Sequence, residues 1–253
     1  MRRFFVDKIP YHPDLILIPA REAAHITKVL RMKKGDKLIL FDGKGKEFES
    51  TIEKIFHKEV WVRTNKSISP TPSSSPLKIS LAQSFVKAPA LDYLLQKTTE
   101  LGVNDIHLLH SERTVVKINL DNLGKKMIRW QEIVKSACRQ CGRTVLPDLK
   151  IPMSFEESVK NAAQENTLCL ILWENEEKTD LKTLLRSMPP VPHIFAIVGP
   201  EGGFTTDEIN FAKKSGFKLI SLGKRILRSE TAAIALLSIL QYEWGDLNFS
   251  FRK

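Results

Sequence analysis

Short apolar runs alternate with segments of helical spacing over residues 77–253, and this alternation constrains the fold more than any other feature. The runs LKISLAQ, DIHLLHS, TLCLILWE, HIFAIVG and FKLISLG each have the length of a buried strand. PALDYLLQKTTELG, residues 121–142, DLKTLLRSM, TTDEINFAKKSG and SETAAIALLSILQYEW are predicted helices. Strands that alternate with helices predict an α/β domain whose mostly parallel sheet is covered on both faces. Ligands of such sheets bind beyond the carboxyl ends of the strands.

The first 70 residues follow a different pattern. KLILFDGKGKEFESTIEKI predicts a β-hairpin around the turn DGKG, and EVWVRT predicts a further strand. HITKVLRMKKGD predicts a short helix that Gly35 closes. We therefore expect a small β-barrel module over residues 1–70, a linker over 71–76 within the Ser/Pro-rich stretch SISPTPSSSP, and the α/β domain over 77–253.

The formal net charge of +10 has two readings, a basic surface in contact with solvent or a polyanionic partner. Residues 1–70 hold 15 Lys and Arg against 9 Asp and Glu, so positive charge is densest in the shorter module. This asymmetry favours nucleic acid as the partner.

Several classes of protein are not expected from the composition. The chain has no run of 18 apolar residues, which argues against a membrane span, and its N-terminus lacks the apolar core of a signal peptide. Three cysteines do not make a disulfide framework, so we expect a cytoplasmic protein. Cys138 and Cys141 form a lone CxxC without a second pair or a histidine cluster, and we expect no metal.

The stretch GPEGGFTTDEI follows a predicted strand directly and places three glycines around Glu201. Thr205 and Glu208 have the spacing of a capping box, which predicts that a helix begins there. A tight turn alone needs fewer glycines, so we interpret the stretch as a loop whose backbone approaches a ligand closely. Neither GxGxxG nor GxxxxGK[ST] occurs, which argues against a dinucleotide or a triphosphate. Exposed backbone and one carboxylate suit a neutral or cationic ligand such as an adenosine.

A second loop, LGKRILRSETA over residues 222–232, follows the next predicted strand. Ser229 is the expected N-cap of the final helix. Arg225 and Arg228 are placed to meet an anion, either RNA phosphate or negative charge that develops on a substrate. A charged surface turn is the alternative.

The pair GPEGGF and LGKRILRSETA resembles the knotted SPOUT-class RNA methyltransferases, and more narrowly the ribosomal RNA small subunit methyltransferase E family of 16S rRNA uridine-N3 methyltransferases. QKTTELGV, SER, RQCGRTVLP and the opening RRFFV also fit that family. The resemblance implies a C-terminal trefoil knot that binds S-adenosylmethionine (SAM), an N-terminal PUA-like RNA-binding module and a homodimer. It also implies 16S rRNA, within the assembled small subunit, as the substrate.

The resemblance assigns the cofactor to three loops, at residues 172–174, 199–203 and 222–232. The implied cofactor-binding residues are Leu172, Trp173, Glu174, Gly199, Pro200, Glu201, Gly202, Gly203, Leu222, Gly223, Ile226, Leu227, Arg228, Thr231 and Ala232.

Arg228 is our candidate for stabilising the uridine anion or anchoring a phosphate, and Glu201 and Glu230 are candidates for orienting groups or for the base. The candidates for holding RNA are Arg2, Arg3, Arg31, Lys97, Arg113, Arg139, Arg143 and Arg225. A knotted methyltransferase that acts on ribose 2′-oxygen or on tRNA, and a non-catalytic RNA-binding assembly protein, are the competing hypotheses.

Overall fold

The structure, a computed structural model, describes residues 1–9, 15–68, 75–116, 120–162 and 166–247. The chain forms two compact units, one of Met1–Ser73 with Lys135–Leu146 and the other of Ser74–Val134 with Pro147–Lys253. Residues 135–146, which fall inside the predicted α/β domain of residues 77–253, group with the first unit. The predicted linker over 71–76 lies mostly outside the described residues.

The first unit is built around a five-stranded sheet. Its strands are β1 (Arg3–Phe5), β2 (Leu15–Leu17), β3 (Lys37–Phe41), β4 (Glu47–Phe56) and β5 (Glu59–Ile68), in the spatial order β1-β3-β4-β5-β2. The predicted hairpin is confirmed, since β3 and β4 pair antiparallel. Its turn is fixed by Asp42, whose Oδ1 accepts hydrogen bonds from the backbone of Lys44 at 2.8 Å and of Lys46 at 3.0 Å. Such Asx geometry is a local reason for the chain to reverse here.

The bounds of the predicted helix HITKVLRMKKGD are wrong. Helix α1 (Ala20–Ala24) begins earlier and continues as one π-helical turn over His25–Val29. Ala23 and Ile26 are fully buried, so packing selects this stretch for the helix. The chain leaves the helix before Gly35, because Arg31 already adopts a φ of +51°.

The second unit contains a six-stranded sheet in which every neighbouring pair is parallel. Its strands are β6 (Lys78–Ser84), β7 (Asp105–His110), β8 (Asp148–Ser154), β9 (Thr167–Leu172), β10 (His193–Val198) and β11 (Lys218–Ile220), in the order β11-β9-β10-β6-β7-β8. The predicted parallel sheet is therefore confirmed. Strand β8 was not predicted, because it is a half-exposed edge strand without a continuous apolar run.

Helices accompany this sheet along the chain. They are α2 (Ala88–Glu100), α3 (Leu123–Cys141), α4 (Phe155–Asn161), α5 (Leu181–Arg186), α6 (Thr206–Lys214) and α7 (Ser229–Glu243), with a 3₁₀ turn at Leu120–Asn122 before α3. Within the described ranges, none of the helices combines the length and apolar character that crossing a bilayer requires.

Both faces of the parallel sheet are covered by apolar packing. Leu81 and Ala196 belong to a core that includes residues of α2 and α7, whereas their neighbours Ala82 and Ile197 belong to a core that includes residues of α4 and α6. Adjacent strand residues point to opposite faces, so this partition confirms the predicted two-sided layering. The loops that follow β9, β10 and β11 consequently emerge at one edge, where those neighbouring strands end.

Candidate active site

Three loops at this edge enclose a cavity of about 480 Å³. Its lining comprises residues 172–174 after β9, residues 199–204 after β10, and residues 220–229 between the end of β11 and the start of α7. The volume is in the range that small-molecule sites occupy. The cavity lies beyond the carboxyl ends of parallel strands, where the sequence predicted a ligand.

Most of the predicted cofactor-binding residues line this cavity. Thr231 and Ala232 do not, since both lie in α7 beyond the lining segment. Of the predicted catalytic residues, Arg228 and Glu201 line the cavity, whereas Glu230 is half-buried in the first turn of α7 outside it. The structure adds lining residues that directly continue the predicted loops, namely Phe204, Ile220, Ser221, Lys224, Arg225 and Ser229.

The glycines after β10 form a closely packed backbone cradle. Gly203 has a φ of +68°, and a Cβ there would lie 2.3 Å from Oε1 of the exposed Glu174 side chain, which would have to move aside. A Cβ on Gly199 would lie 3.0 Å from the Phe204 ring, and one on Gly202 would lie 3.2 Å from Cβ of Arg113. The left-handed backbone favours glycine at position 203, and the close contacts leave little space for a Cβ at positions 199 and 202.

Ser229 joins two of the loops and does not have its predicted role. The N-cap of α7 is Arg228, which makes no side-chain cap bond. The Ser229 hydroxyl is buried and donates to the Gly199 carbonyl at 2.5 Å, while accepting from Nε2 of Gln83 at 2.8 Å. Because the hydroxyl binds a neighbouring loop, it is not available to cap the helix. The sequence did not predict that Gln83 supports this site. Its signal is a single amide side chain at the end of the largely apolar run LKISLAQ.

A fourth segment, residues 111–114 after β7, supports the glycine loop. Arg113 Nη1 donates to the Gly202 carbonyl at 3.2 Å, and the backbone N–H of Glu112 donates to Oε1 of Glu208 at 2.9 Å. Glu208 also completes the predicted capping box of α6, which is confirmed by its bonds with Thr205. The glycine loop is thus fixed by its own helix and by the segment behind it.

Charged side chains of both signs border the cavity. The carboxylates are those of Glu174 and Glu201, and the cations are those of Lys224, Arg225 and Arg228, all of them exposed. Oε1 of Glu201 accepts from the backbone N–H of Lys87 at 3.5 Å. In the part of the chain that the structure describes, no ion pair involves the three cations. The carboxylates suit a cationic ligand, and the cations suit a phosphate-bearing one.

The predicted RNA-binding residues of the second unit differ in their partners. Arg225 is exposed at the cavity, and Arg113 is exposed while it contacts Gly202. Lys97 forms an ion pair with Glu100 at 2.8 Å, and this bond raises the pKa of the Lys97 ammonium.

Several predicted RNA-binding residues of the first unit also have protein partners. Arg3 forms an ion pair with Glu47 and donates to the carbonyl of Arg143 at 3.2 Å. Arg139 forms an ion pair with Glu22 at 2.7 Å. Two others are exposed: Arg2 donates to the Leu30 carbonyl at 3.2 Å, and Arg31 lies just beyond the π-helical turn.

Comparison with known proteins agrees with this architecture. An RNA methyltransferase domain family matches residues 73–241, and an RNA methyltransferase PUA domain family matches residues 18–64. The ribosomal RNA small subunit methyltransferase E of Buchnera aphidicola is 36% identical over 222 residues, which are 88% of this chain and 85% of that protein. This chain belongs to the ribosomal RNA small subunit methyltransferase E family. The family resemblance read from the sequence is confirmed.

Solved methyltransferase structures have the same fold as this chain over nearly its whole length. A methyltransferase from Legionella pneumophila in complex with bound SAM superposes with a TM-score of 0.89 at 40% identity, covering 97% of this chain and 98% of that one. The ribosomal RNA small subunit methyltransferase E from Neisseria gonorrhoeae bound to SAM has a TM-score of 0.88 at 33% identity, covering 98% and 100%.

Proposed function

We propose that this chain transfers the methyl group of SAM to N3 of a uridine in 16S ribosomal RNA. The observation that carries the proposal is the cavity of three loops with its glycine cradle, in a chain whose structural relatives were solved with SAM bound. Membership of the ribosomal RNA small subunit methyltransferase E family supports the RNA substrate, and the uridine N3 position follows from the family resemblance.

The cavity residues fit SAM. The glycine loop presents backbone rather than long side chains to the cavity, which lets an adenosine approach the main chain closely. The carboxylates of Glu174 and Glu201 suit a donor that carries positive charge. Bound SAM supplies an electrophilic methyl group on a sulfonium centre. We propose that residues 172–174, 199–203 and 222–228 hold it.

The chain's own side chains have to make uridine N3 a nucleophile. N3 carries a proton, and when that proton leaves, negative charge spreads onto the two neighbouring carbonyl oxygens. We propose that Arg228, exposed at the cavity, stabilises this charge or anchors an adjacent phosphate. Glu201 is exposed on the same lining and is the candidate for accepting the proton. Because Glu230 lies outside the lining, we propose that it stabilises the N-terminus of α7 through the helix dipole.

The remaining parts of the proposal concern architecture and partners. We propose a PUA-like RNA-binding barrel over residues 1–70, a linker over 71–76 and a trefoil-knotted SPOUT domain over 77–253. The family resemblance supports a cytoplasmic homodimer that acts on the assembled small subunit. Of the candidate RNA-binding residues, the exposed ones, Arg2, Arg31, Arg113 and above all Arg225, are proposed to hold the RNA.

Calorimetry with SAM followed by a methylation assay tests the proposed function. We expect the purified protein to bind SAM and to methylate small subunits from a strain that lacks the corresponding activity. Mass spectrometry of the digested RNA is expected to locate the methyl group on N3 of one uridine. A methyl group on a ribose 2′-oxygen or on tRNA would instead support the competing methyltransferase, and the absence of SAM binding would support the assembly protein.

Single-turnover methylation tests the catalytic assignments. Arg228→Ala is expected to slow the chemical step by roughly 10²-fold, the usual effect of removing one group that stabilises developing charge. Glu201→Gln is expected to slow it as well, and to a lesser extent at high pH, where hydroxide can replace the base. Wild-type rates in both variants would remove these residues from the chemistry.

A further inference from the structure

The carboxylate of Glu208 contacts two separate segments of the chain. Glu208 is only 7% exposed. Its Oε2 accepts from the backbone N–H of Thr205 at 2.9 Å, as a capping box requires. Its Oε1 accepts from the backbone N–H of Glu112 at 2.9 Å, a residue 96 positions away in the chain. A helix cap does not need this second bond. Glu208 therefore also links the N-terminus of α6 to the segment that contains Glu112.

The segment held by that second bond, residues 111–114, contacts the lining of the cavity. Next to Glu112, Arg113 donates to the Gly202 carbonyl at 3.2 Å, and Cβ of Arg113 would make a tight contact of 3.2 Å with a Cβ added at Gly202. Gly202 is part of the cavity lining. Displacing residues 111–114 would therefore remove both the packing and the hydrogen bond that support the glycine loop.

We propose that Glu208 is a positioning residue for the methyl-donor site. Together with the Glu112 N–H and the Arg113 guanidinium it forms a brace that holds residues 199–204 in the conformation that binds the donor. The identity of the donor rests on the function proposed above. Apparent affinity falls with the fraction of protein in the binding-competent conformation. Loosening the brace therefore weakens donor binding without removing any contact to the donor.

The chain offers a matched control in its other capping box, at α4. Glu157 there accepts from the Ser154 N–H at 2.8 Å and has no remote bond among the described contacts. Burial differs between the two glutamates, so the free energy of unfolding is measured for both variants. Glu157→Gln removes a helix-capping carboxylate, as Glu208→Gln does. Because Glu157 makes no described bond to the cavity loops, their support is unchanged in this variant.

Glu208→Gln replaces two acceptor oxygens by one, so either the Glu112 N–H or the Thr205 N–H faces an amide NH₂. We expect the Kd and the KM for SAM to rise about tenfold, while kcat at saturating SAM stays within about twofold of wild type. Glu157→Gln is expected to leave Kd, KM and kcat unchanged. If Glu208 only stabilised the fold, Glu208→Gln would lower the free energy of unfolding but would not raise KM while kcat stays constant.

Equal SAM affinity in the two variants would overturn the brace, and so would a loss of kcat at unchanged KM. If Glu208→Gln does not fold, Arg113→Ala replaces it, since that side chain is exposed. Its Kd for SAM, measured without RNA, is expected to rise about threefold for one lost hydrogen bond, and an unchanged value overturns the proposal.

Amide exchange in the ligand-free protein gives a readout that does not depend on SAM. Residues 199–204 are expected to exchange faster in Glu208→Gln than in Glu157→Gln, and equal rates would overturn the brace. A wild-type protein that does not bind SAM would overturn the proposed function instead.

Discussion

Among the glycines of the cavity lining, Gly203 is the one where an added Cβ would lie nearest to another atom. Its φ of +68° is strained for any other residue, and a side chain there would displace the Glu174 carboxylate. Gly203→Ala is expected to weaken SAM binding at least tenfold, because the loop must move away from about 1–3 kcal/mol of backbone strain and from the collision. Calorimetry on the folded variant checks this expectation.

Gly216→Ala is the control for that substitution. Gly216 has a φ of +87°, and an added Cβ would meet nothing within 4 Å. It follows α6 and lies outside the cavity lining. We expect a similar loss of stability with SAM affinity unchanged. If both variants bound SAM as wild type does, the cradle would not be what holds the donor.

At the scale of single residues, the sequence predicted what is local and missed what is remote. The glycines and the capping box at Thr205 and Glu208 are recognisable within one stretch of GPEGGFTTDEI. The bond from Gln83 to Ser229 spans 146 positions, and the bond from Glu112 to Glu208 spans 96. Periodicity and motif spacing carry no information on such pairs, so the residues that hold the loops together could not be named in advance.

Between elements, one hydroxyl links the loop after β10 to the start of α7. Ser229→Ala removes its bond to Gly199 and leaves the buried Gln83 amide with one partner fewer. We expect a loss of about 1–3 kcal/mol in the free energy of unfolding, together with weaker SAM binding, because two cavity loops are no longer joined. Urea denaturation and calorimetry measure the two effects.

Ser238→Ala provides the comparison on the same helix. Within the described part of the chain, Ser238 donates to the Ile234 carbonyl one turn earlier in α7, at 2.9 Å. The Ser238 hydroxyl shares this carbonyl with a backbone N–H of the helix, so the bond adds little stability. Ser238→Ala is therefore expected to change stability slightly and to leave SAM affinity unchanged. A Ser229→Ala variant that behaves like Ser238→Ala would show that packing alone joins the loops.

Elements with a strong apolar pattern were predicted, and weakly patterned ones were not. The central strands such as β10 are nearly continuous apolar runs and were identified directly. Strand β8 and the short helix α4 were missed, since β8 lies at a sheet edge with half-exposed side chains and a proline. The π-helical turn over His25–Val29 also has no sequence signal of its own, and burial of Ile26 accounts for its placement.

For the molecule as a whole, stability is expected to fall under mildly acidic conditions. The pKa of His107 is lowered by burial of its ring, an effect that nearby Asp105 opposes and Lys150 reinforces. Below about pH 6.5, the imidazole of His107 is therefore protonated in the unfolded chain but still neutral in the folded chain. The contribution of His107 to the free energy of unfolding is therefore fully present above about pH 6.5, and it is lost as the pH falls toward the lower pKa of the folded state.

Urea denaturation between about pH 7.5 and 5.5 tests this expectation, because the ordinary pKa of histidine lies within that range. Tryptophan fluorescence is a suitable probe, since Trp130, Trp173 and Trp244 lie in the second unit with His107. His107→Gln is expected to lose less stability on acidification than wild type does. His57→Gln, an exposed substitution in the first unit, is the control. Equal slopes in wild type and His107→Gln would assign the effect to other groups.

The net charge of +10 makes RNA binding by the whole molecule salt-dependent, but its cations do not contribute equally. Arg225 is exposed and takes part in no described ion pair, whereas the Arg139 guanidinium is bound by Glu22. Arg225→Ala is therefore expected to reduce the slope of log K against log salt by about 1, measured with labelled ribosomal RNA between about 50 and 200 mM salt. Arg139→Ala is expected to lower the stability of the first unit and leave that slope unchanged. A slope reduced equally in both variants would mean that Arg139 exchanges Glu22 for a phosphate when RNA binds, and a wild-type slope in Arg225→Ala would remove Arg225 from the phosphate contacts.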